Sequence, residues 1–399
     1  MISHPFGGTT PRRPRRHVVA LLCAATLGLT GLAGPASAAP GDPGAPVTRT
    51  TGERVPGAWI VTLRDGVDPR GVARRHQADP RFVYESALTG FAAQLNDGQV
   101  QALRQDSDVI ALEPDQVSTA IATQSVTVGG GLYGLDRIDQ RALPLSGSYT
   151  YARNGTGVRA YIIDTGIATA HPDFGSRASN VYDAFGGNGQ DCNGHGTHVA
   201  GTVGGTAYGV AKGSSLRGVR VLDCNGSGAT SGILAGIDWV QANHIKPAVA
   251  NLSLGGGFSS SLNTAASNLA AAGVFTAVAA GNENQDACNV SPASASGVLT
   301  IAASDKTDTR ASFSNYGGCV DTYAPGVAIT STWLNGTTNT ISGTSMASPH
   351  VAGVAALYKA YGDGASSAVN SWILDNATTG AINGNLSGTA NRLLFKSTF

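Results

Sequence analysis

Three short islands of this 399-residue chain each carry one side chain suited to covalent hydrolysis. VRAYIIDTGI holds Asp164, NGHGTHVAGTVGG holds His195, and SGTSMASPHVAGVAALY holds Ser345. A serine hydroxyl is a poor nucleophile at its own pKa. An imidazole must take its proton, and a carboxylate must hold that imidazole in the productive tautomer. The three residue types thus supply a nucleophile, a base and an orienting group, in the chain order Asp, His, Ser. Two further islands fit around them. In AAGNEN, Asn282 follows an apolar run and Gly281, so its amide can reach an oxyanion at the attacked carbonyl. In NLSLGGG, residues 251–257, a strand pattern runs into glycines, an edge that can pair with an extended peptide.

Ser345 opens a small, apolar, helical stretch. Pro349 is tolerated only in a first turn, which sets the helix start near Ser345. Backbone N–H groups and the positive end of the helix dipole there favour a developing oxyanion. An N-cap serine is the plainer reading of that position by itself; the other islands outweigh it. His198 lies one turn beyond His195, but H-G-T-H lacks the glutamate of H-E-x-x-H, so it reads as a structural histidine. His171, His244 and His350 read the same way. Asp173, Asp183 and Asp191 fall on polar stretches and read as solvated loop carboxylates.

Something must bring these islands together. Apolar runs at 158–163, 248–254, 274–280 and 297–301 read as buried strands, with helical patterns between them, notably at 230–242. Strands alternating with helices imply a parallel sheet covered on both faces. Sites in such sheets lie beyond the carboxyl ends of the strands. Asp164 and Asn282 each follow such a run. Ahead of this region, residues 55–115 read as a small α+β unit. Strands are expected at 58–63, 90–95 and 109–112, the last stopped by Pro114, with a helix capped by Asp97 and apolar at Val100 and Leu103.

The chain has 26 basic and 26 acidic residues, so it lacks the basic excess of a nucleic-acid binder. Charged residues are only 13%, and there are 54 glycines, a composition of tight turns and close backbone contacts. Arg12, Arg13, Arg15 and Arg16, an apolar stretch at 18–32, and Ala36-Ser37-Ala38 form the pattern of a cleaved secretory signal. About fifteen apolar residues is short for a membrane span. No later segment is long and apolar enough to cross, so a released product is expected. Residues 39–48 are a Pro/Gly-rich linker. Cys23 leaves with the signal, and Cys192, Cys224, Cys288 and Cys319 remain for an oxidising compartment. Three pairings are possible; the sequence-local one closes two loops of about thirty residues, each worth up to ~3.5–4 kcal/mol in the chain-entropy model. No pair has C-x-x-C spacing, which disfavours a metal site.

The three islands resemble the signatures of the subtilisin-like serine proteases, and within them the secreted proteinase K and aqualysin group. The resemblance runs from about Tyr133 to the C-terminus; the segment before it is similar to the family's inhibitor-type propeptide. It implies a subtilisin-like three-layer α/β fold with a mainly parallel central sheet, preceded by a small α+β, ferredoxin-like propeptide domain. The implied organisation is a signal peptide (1–38), a linker (39–54), a propeptide (55–121) and a peptidase domain (122–399), with no C-terminal extension. By resemblance Asp164, His195 and Ser345 form the triad and Asn282 donates to the oxyanion. Ser253, Leu254 and Gly255, with Ala280 and Gly281, line the substrate cleft. The four cysteines match the aqualysin-type pairing, Cys192 with Cys224 and Cys288 with Cys319. Structural calcium is implied at two places. Asp136, Asp139, Gln140, Ser146 and Ser148 resemble one site, and Asp321 with the Ser296 and Val298 carbonyls resembles another, although the family often has proline at position 296. Clustered oxygens suit a hard cation. No catalytic cofactor is implied.

The expected protein is a secreted, monomeric serine endopeptidase acting on proteins or peptides. Its own propeptide would aid folding, block the cleft and be cut off near Ile121 or Ala122. A catalytically silent binding protein of this fold and a secreted esterase fit the same side chains; the complete triad and its order disfavour them.

Overall fold

The computed structural model describes residues 44–120 and 132–399. The signal-peptide reading of residues 1–38, the first part of the linker and the cleavage point near Ile121 or Ala122 lie outside the described residues. All described residues fall in one compact unit.

Period-2 alternation sorts the N-terminal strands onto two faces. The order is β1 (Arg54–Leu63), α1 (Pro69–Arg75), β2 (Pro80–Tyr84), β3 (Gly90–Gln94), α2 (Asp97–Arg104) and β4 (Val109–Ala120). The strands pair antiparallel in the order β4-β1-β3-β2, the ferredoxin-like arrangement. Val61, Phe91, Ala93 and Leu112 pack with Val72, Val100 and Leu103 of the two helices. Ile60, Tyr84 and Ala92 face the other way, into a core shared with the rest of the chain.

Two local expectations change here. Pro114 does not stop β4, which continues to Ala120. Pro114 sits opposite Trp59, where the β1–β4 register shifts, and an irregular ladder position tolerates the missing N–H. Asn96, not Asp97, caps α2: its backbone is extended, and its side chain and that of Gln99 form a reciprocal capping box. Among the described residues the linker is bonded to this unit, with Ala45 N donating to Arg104 O (2.6 Å) and Thr48 N to Leu112 O (2.8 Å).

The remaining chain begins with α3 (Tyr133–Asp139), β5 (Arg159–Asp164), β6 (Ala178–Asp183), α4 (His195–Gly204), β7 (Ser215–Arg220) and β8 (Ser227–Ala229). Next come α5 (Thr230–Asn243), β9 (Ala248–Leu252), β10 (Leu254–Gly257), α6 (Ser260–Ala271), β11 (Phe275–Ala279), β12 (Val290–Ser291) and β13 (Leu299–Ser304). It ends with β14 (Thr322–Pro325), β15 (Ile329–Thr332), β16 (Thr338–Ile341), α7 (Thr344–Lys359), α8 (Ser366–Asn376), β17 (Thr378–Thr379) and β18 (Arg392–Leu393).

Nine strands form the central sheet in the order β17-β18-β14-β13-β11-β9-β5-β7-β6. All neighbours are parallel except β17 and β18. Both faces are covered, which is why the strands read as unbroken apolar runs. In β5, Ala160 and Ile162 pack toward Val199 of α4 and Val351 of α7, while Tyr161 and Ile163 pack toward Ile233 of α5 and Leu262 of α6. The run expected at 248–254 is two strands. β9 stays in the sheet, and beyond Ser253 the chain leaves it as β10, which pairs antiparallel with β12 and β4. Disulfides join Cys192 to Cys224 and Cys288 to Cys319.

Candidate active site

Asp164 is the last residue of β5 and is fully buried. Its Oδ1 accepts from Thr165 N and from His195 Nδ1, both at 2.7 Å. His195 is the first residue of α4, 2% exposed. Gly194 before it has φ 107°, a left-handed conformation that suits glycine, and a Cβ there would run into the Trp333 ring. With Nδ1 donating to a carboxylate, Nε2 is the basic nitrogen. Nε2 has no hydrogen-bond partner among the described residues. Burial alone pushes the His195 pKa down, but Asp164, with help from Asp191, carries it above the ordinary value of 6.5.

Asp191 is not a solvated loop residue. It is 8% exposed and accepts from Thr165 Oγ1 (2.9 Å), Asn193 N (2.9 Å), Gly194 N (2.9 Å), Thr197 N (2.9 Å) and Thr197 Oγ1 (2.6 Å). One carboxylate thus ties the residue after Asp164 to the turn that presents His195. The N-terminus of α4 supplies two of those amides, which explains how the charge tolerates burial. His198 is buried with Nε2 on Ile329 O (3.0 Å), and burial holds its pKa down at about 3. His350 gives Nδ1–H to Met346 O (2.8 Å).

Ser345 is the second residue of α7 and fully buried. Its Oγ donates to Ser253 O (2.9 Å), not to His195. Pro349 lies in the second turn of α7, not the first. Its missing N–H would have bonded the carbonyl four residues earlier, that of Ser345. That carbonyl instead accepts from Ser253 Oγ (2.9 Å), so the helix bears the proline without an orphaned acceptor. Asn282 follows β11 and Gly281. Its Oδ1 accepts from Thr344 N and Oγ1, both 2.9 Å, which turns the donor end of the amide away from Thr344.

β4 fills the slot between β8 and β10. Ala120 pairs with Leu254 and Thr119 with Gly255 on one edge; Val117, Ser118 and Thr119 pair with Ala229, Gly228 and Ser227 on the other. This is strand addition, with main-chain bonds on both sides. Two carboxylates of β4 end on helix N-termini. Glu113 accepts from Ser259 Oγ, Ser260 Oγ (2.9 Å), Ser261 N (3.1 Å) and Ser261 Oγ (3.1 Å) at the start of α6. Asp115 accepts from Ser231 N (3.0 Å) and Ser231 Oγ (2.5 Å) at the start of α5. Burial pushes the Asp115 carboxyl upward, and these bonds oppose the shift. Helix starts favour such anions. Neither residue stood out in the sequence. Their i, i+2 spacing in a strand, which puts both on one face, was the available signal.

Around the proposed cation loop, Asp136 Oδ1 accepts from Ser146 N (3.1 Å) and Oγ (2.9 Å), and its Oδ2 from Gly147 N (2.7 Å). Ser146 Oγ is 2.9 Å from Ser148 Oγ, and Gln140 Oε1 accepts from Ser146 N (2.9 Å). Asp139 turns elsewhere, to Thr150 and to Lys396 Nζ at 2.9 Å. Asp321 accepts from Thr300 N (2.8 Å), and burial raises its pKa; Ser296 Oγ lies 3.3 Å from Ser267 Oγ, and Val298 is buried. Among the described residues no three His, Cys, Asp or Glu side chains gather as a metal-binding group. No described helix is long and apolar enough to cross a membrane.

A family model described as the subtilase family matches residues 155–391, and one described as peptidase inhibitor I9 matches residues 59–120. The chain is 54% identical over 335 residues to an extracellular serine proteinase of Thermus sp. (strain Rt41A), covering 77% of this chain and 81% of that protein. It is 49% identical over 321 residues to alkaline serine exoprotease A of Vibrio alginolyticus, covering 79% of this chain and 60% of that protein. Among solved structures, a cold adapted subtilisin-like serine proteinase superposes with a TM-score of 0.65 at 49% identity, over 66% of this chain and 97% of that one.

Proposed function

This chain belongs to the subtilase family, and from that premise we propose that Asp164, His195 and Ser345 are its catalytic triad, with Asn282 and the Ser345 N–H as oxyanion donors. The protein is a secreted serine endopeptidase made as a zymogen with an inhibitor-type propeptide. The domain reading divides it into a signal peptide (1–38), linker (39–54), propeptide (55–121) and peptidase domain (122–399).

In turnover, Ser345 Oγ leaves the Ser253 carbonyl for His195 Nε2, gives up its proton there and attacks the scissile carbonyl. The imidazolium is held by Asp164, and the oxyanion by Asn282 Nδ2 and the Ser345 amide. His195 then returns the proton to the leaving amine. Water attacks the acyl-enzyme by the same steps in reverse, with His195 as base. Ser253, Leu254 and Gly255 bind the extended substrate backbone, and Ala280 and Gly281 border it.

The observation that carries this reading is the course of β4. It lies in the slot like a peptide substrate, its Ala120 opposite Leu254, one residue from the Ser253 that is bonded to Ser345. The first peptide bond to be cut is expected just beyond Ala120, near Ile121 or Ala122. The test combines N-terminal sequencing of the secreted product with fluorophosphonate labelling. Sequence starting near Ala122 and label on Ser345 are expected. An unlabelled product would favour the silent binding protein, and hydrolysis of simple esters without casein would favour the esterase.

Subtilases generally bind structural calcium and need no catalytic cofactor. The loop around Asp136 supports a site: one carboxylate, the Gln140 amide oxygen and the Ser146 and Ser148 hydroxyls are drawn together, oxygens of the kind a hard cation takes. Asp139 would join only by releasing Lys396. Asp321, with the Ser296 and Val298 carbonyls, is proposed as the second site from the family resemblance, a set of oxygens of the kind a hard cation takes. At calcium a hundredfold above its dissociation constant each site adds about 2.7 kcal/mol. Chelation is therefore expected to lower the melting midpoint by several degrees, and an unchanged melting curve would contradict the sites.

A further inference from the structure

The inhibitor family model begins at residue 59, yet the chain ahead of that point is built into the cleft. Thr48, Arg49 and Thr51 line a cavity of about 920 Å³ together with Glu283, Gln285 and Asn289. The segment is held to the rim beyond β10 by specific bonds. Thr51 Oγ1 accepts from Phe258 N (2.8 Å). Gly52 N donates to Gln116 Oε1 (2.9 Å), and Gln116 Nε2 donates onward to Gly257 O (3.0 Å) and Phe258 O (3.3 Å). Gln116, 1% exposed, is thus a buried clamp that joins the segment to the rim. Val117 N donates to Glu53 O (2.8 Å), which fastens the same stretch to β4.

Glycine meets glycine at this contact. A Cβ on Gly257 would collide with Gly52 N and would stand 2.6 Å from the Thr51 carbonyl carbon. A Cβ on Gly52 would collide with the Gln116 amide. The backbones approach as closely as they do only because both side chains are missing. Arg49 and Glu283 place opposite charges on the same cavity.

We infer that residues 48–53 are a second inhibitory element, a strap across the outer rim of the cleft that retains the propeptide after the bond following β4 has been cut. The inference rests on the self-processing reading of the proposed function. Cutting that bond frees the end of β4 but leaves the strap engaged, so rebinding of β4 becomes intramolecular and release is slow.

The test uses the full precursor. Wild type, Thr51→Val and Gly52→Val are refolded side by side. Gels follow the cut between propeptide and enzyme, and a chromogenic peptide follows the onset of activity. Thr51 is exposed, and its replacement by valine keeps the shape and removes the acceptor. The strap leaves with the propeptide, so all three mature enzymes have one sequence and one final activity. Each variant is expected to be cut at the wild-type rate and to shorten the interval between cut and activity by about three- to tenfold, the scale of one or two lost hydrogen bonds. An unchanged interval in both variants overturns the strap while leaving self-processing intact. A wild-type precursor that is never cut overturns the processing reading and the strap with it. A second measurement covers a variant that is not cut: amide exchange at Phe258 in a Ser345→Ala precursor. Thr51→Val is expected to speed that exchange about tenfold or more by removing its acceptor, and unchanged protection overturns the contact.

Discussion

Ser345→Ala is expected to leave a folded precursor that is never processed and has no measurable peptidase activity. The substitution removes only Oγ, which donates to the Ser253 carbonyl. The Ser253 hydroxyl still serves the Ser345 carbonyl, so α7 keeps its start. The expected loss in turnover is about 10⁶-fold, a scale carried over from subtilisin, a member of the same family. Two readouts check it. The precursor made without other proteases should stay full length, and a fluorophosphonate probe should not label it. A mature-sized product from that variant would contradict self-cleavage by Ser345, and the triad would then have to be tested on added substrate.

Asp164→Asn should be the next most damaging change. Asp164 Oδ1 receives the Nδ1 proton at 2.7 Å and leaves Nε2 basic. An asparagine amide can offer its own N–H to Nδ1, which moves the ring proton to Nε2, the wrong nitrogen for a base. A fall in kcat of about 10⁴-fold is expected, and the scale again matches the known subtilisin case. The pH profile separates this account from simple misfolding. In the parent enzyme the base must be neutral, so activity is lost as pH falls through the His195 pKa. That pKa is raised above 6.5 by Asp164 and Asp191 in spite of burial, so the acid limb should begin at a higher pH than for a free imidazole. Without the Asp164 charge, burial has less opposition and the limb of the residual activity should move to lower pH. A limb that stays in place would show that Asp164 does not set the charge state of His195.

Much of the candidate site was legible in the chain because its signals are local. Asp164 ends an apolar run, Asn282 follows a run and a glycine, and Ser345 opens a helix; each of these depends on neighbours a few positions away. The parallel sheet was legible for the same reason, since strands buried on both faces leave unbroken apolar stretches. Local signals also misled. Pro114 suggested a strand end, but a ladder irregularity opposite Trp59 absorbs it. Asp97 is as good a cap by type as Asn96; the reciprocal bond with Gln99 decides between them.

The sequence by itself determined which residues could act, their order along the chain and the elements that carry them, because periodicity and capping are properties of short stretches. Tertiary structure decided how those residues are used. It made Asp191 a buried organiser of the His195 turn, turned the Ser345 hydroxyl to a carbonyl 92 positions away, set two carboxylates of β4 on helix starts, and laid the strap against Gly257. Each of these depends on desolvation and on partners distant in the chain. A carboxylate in a polar stretch looks the same in sequence whether water or five protein donors surround it.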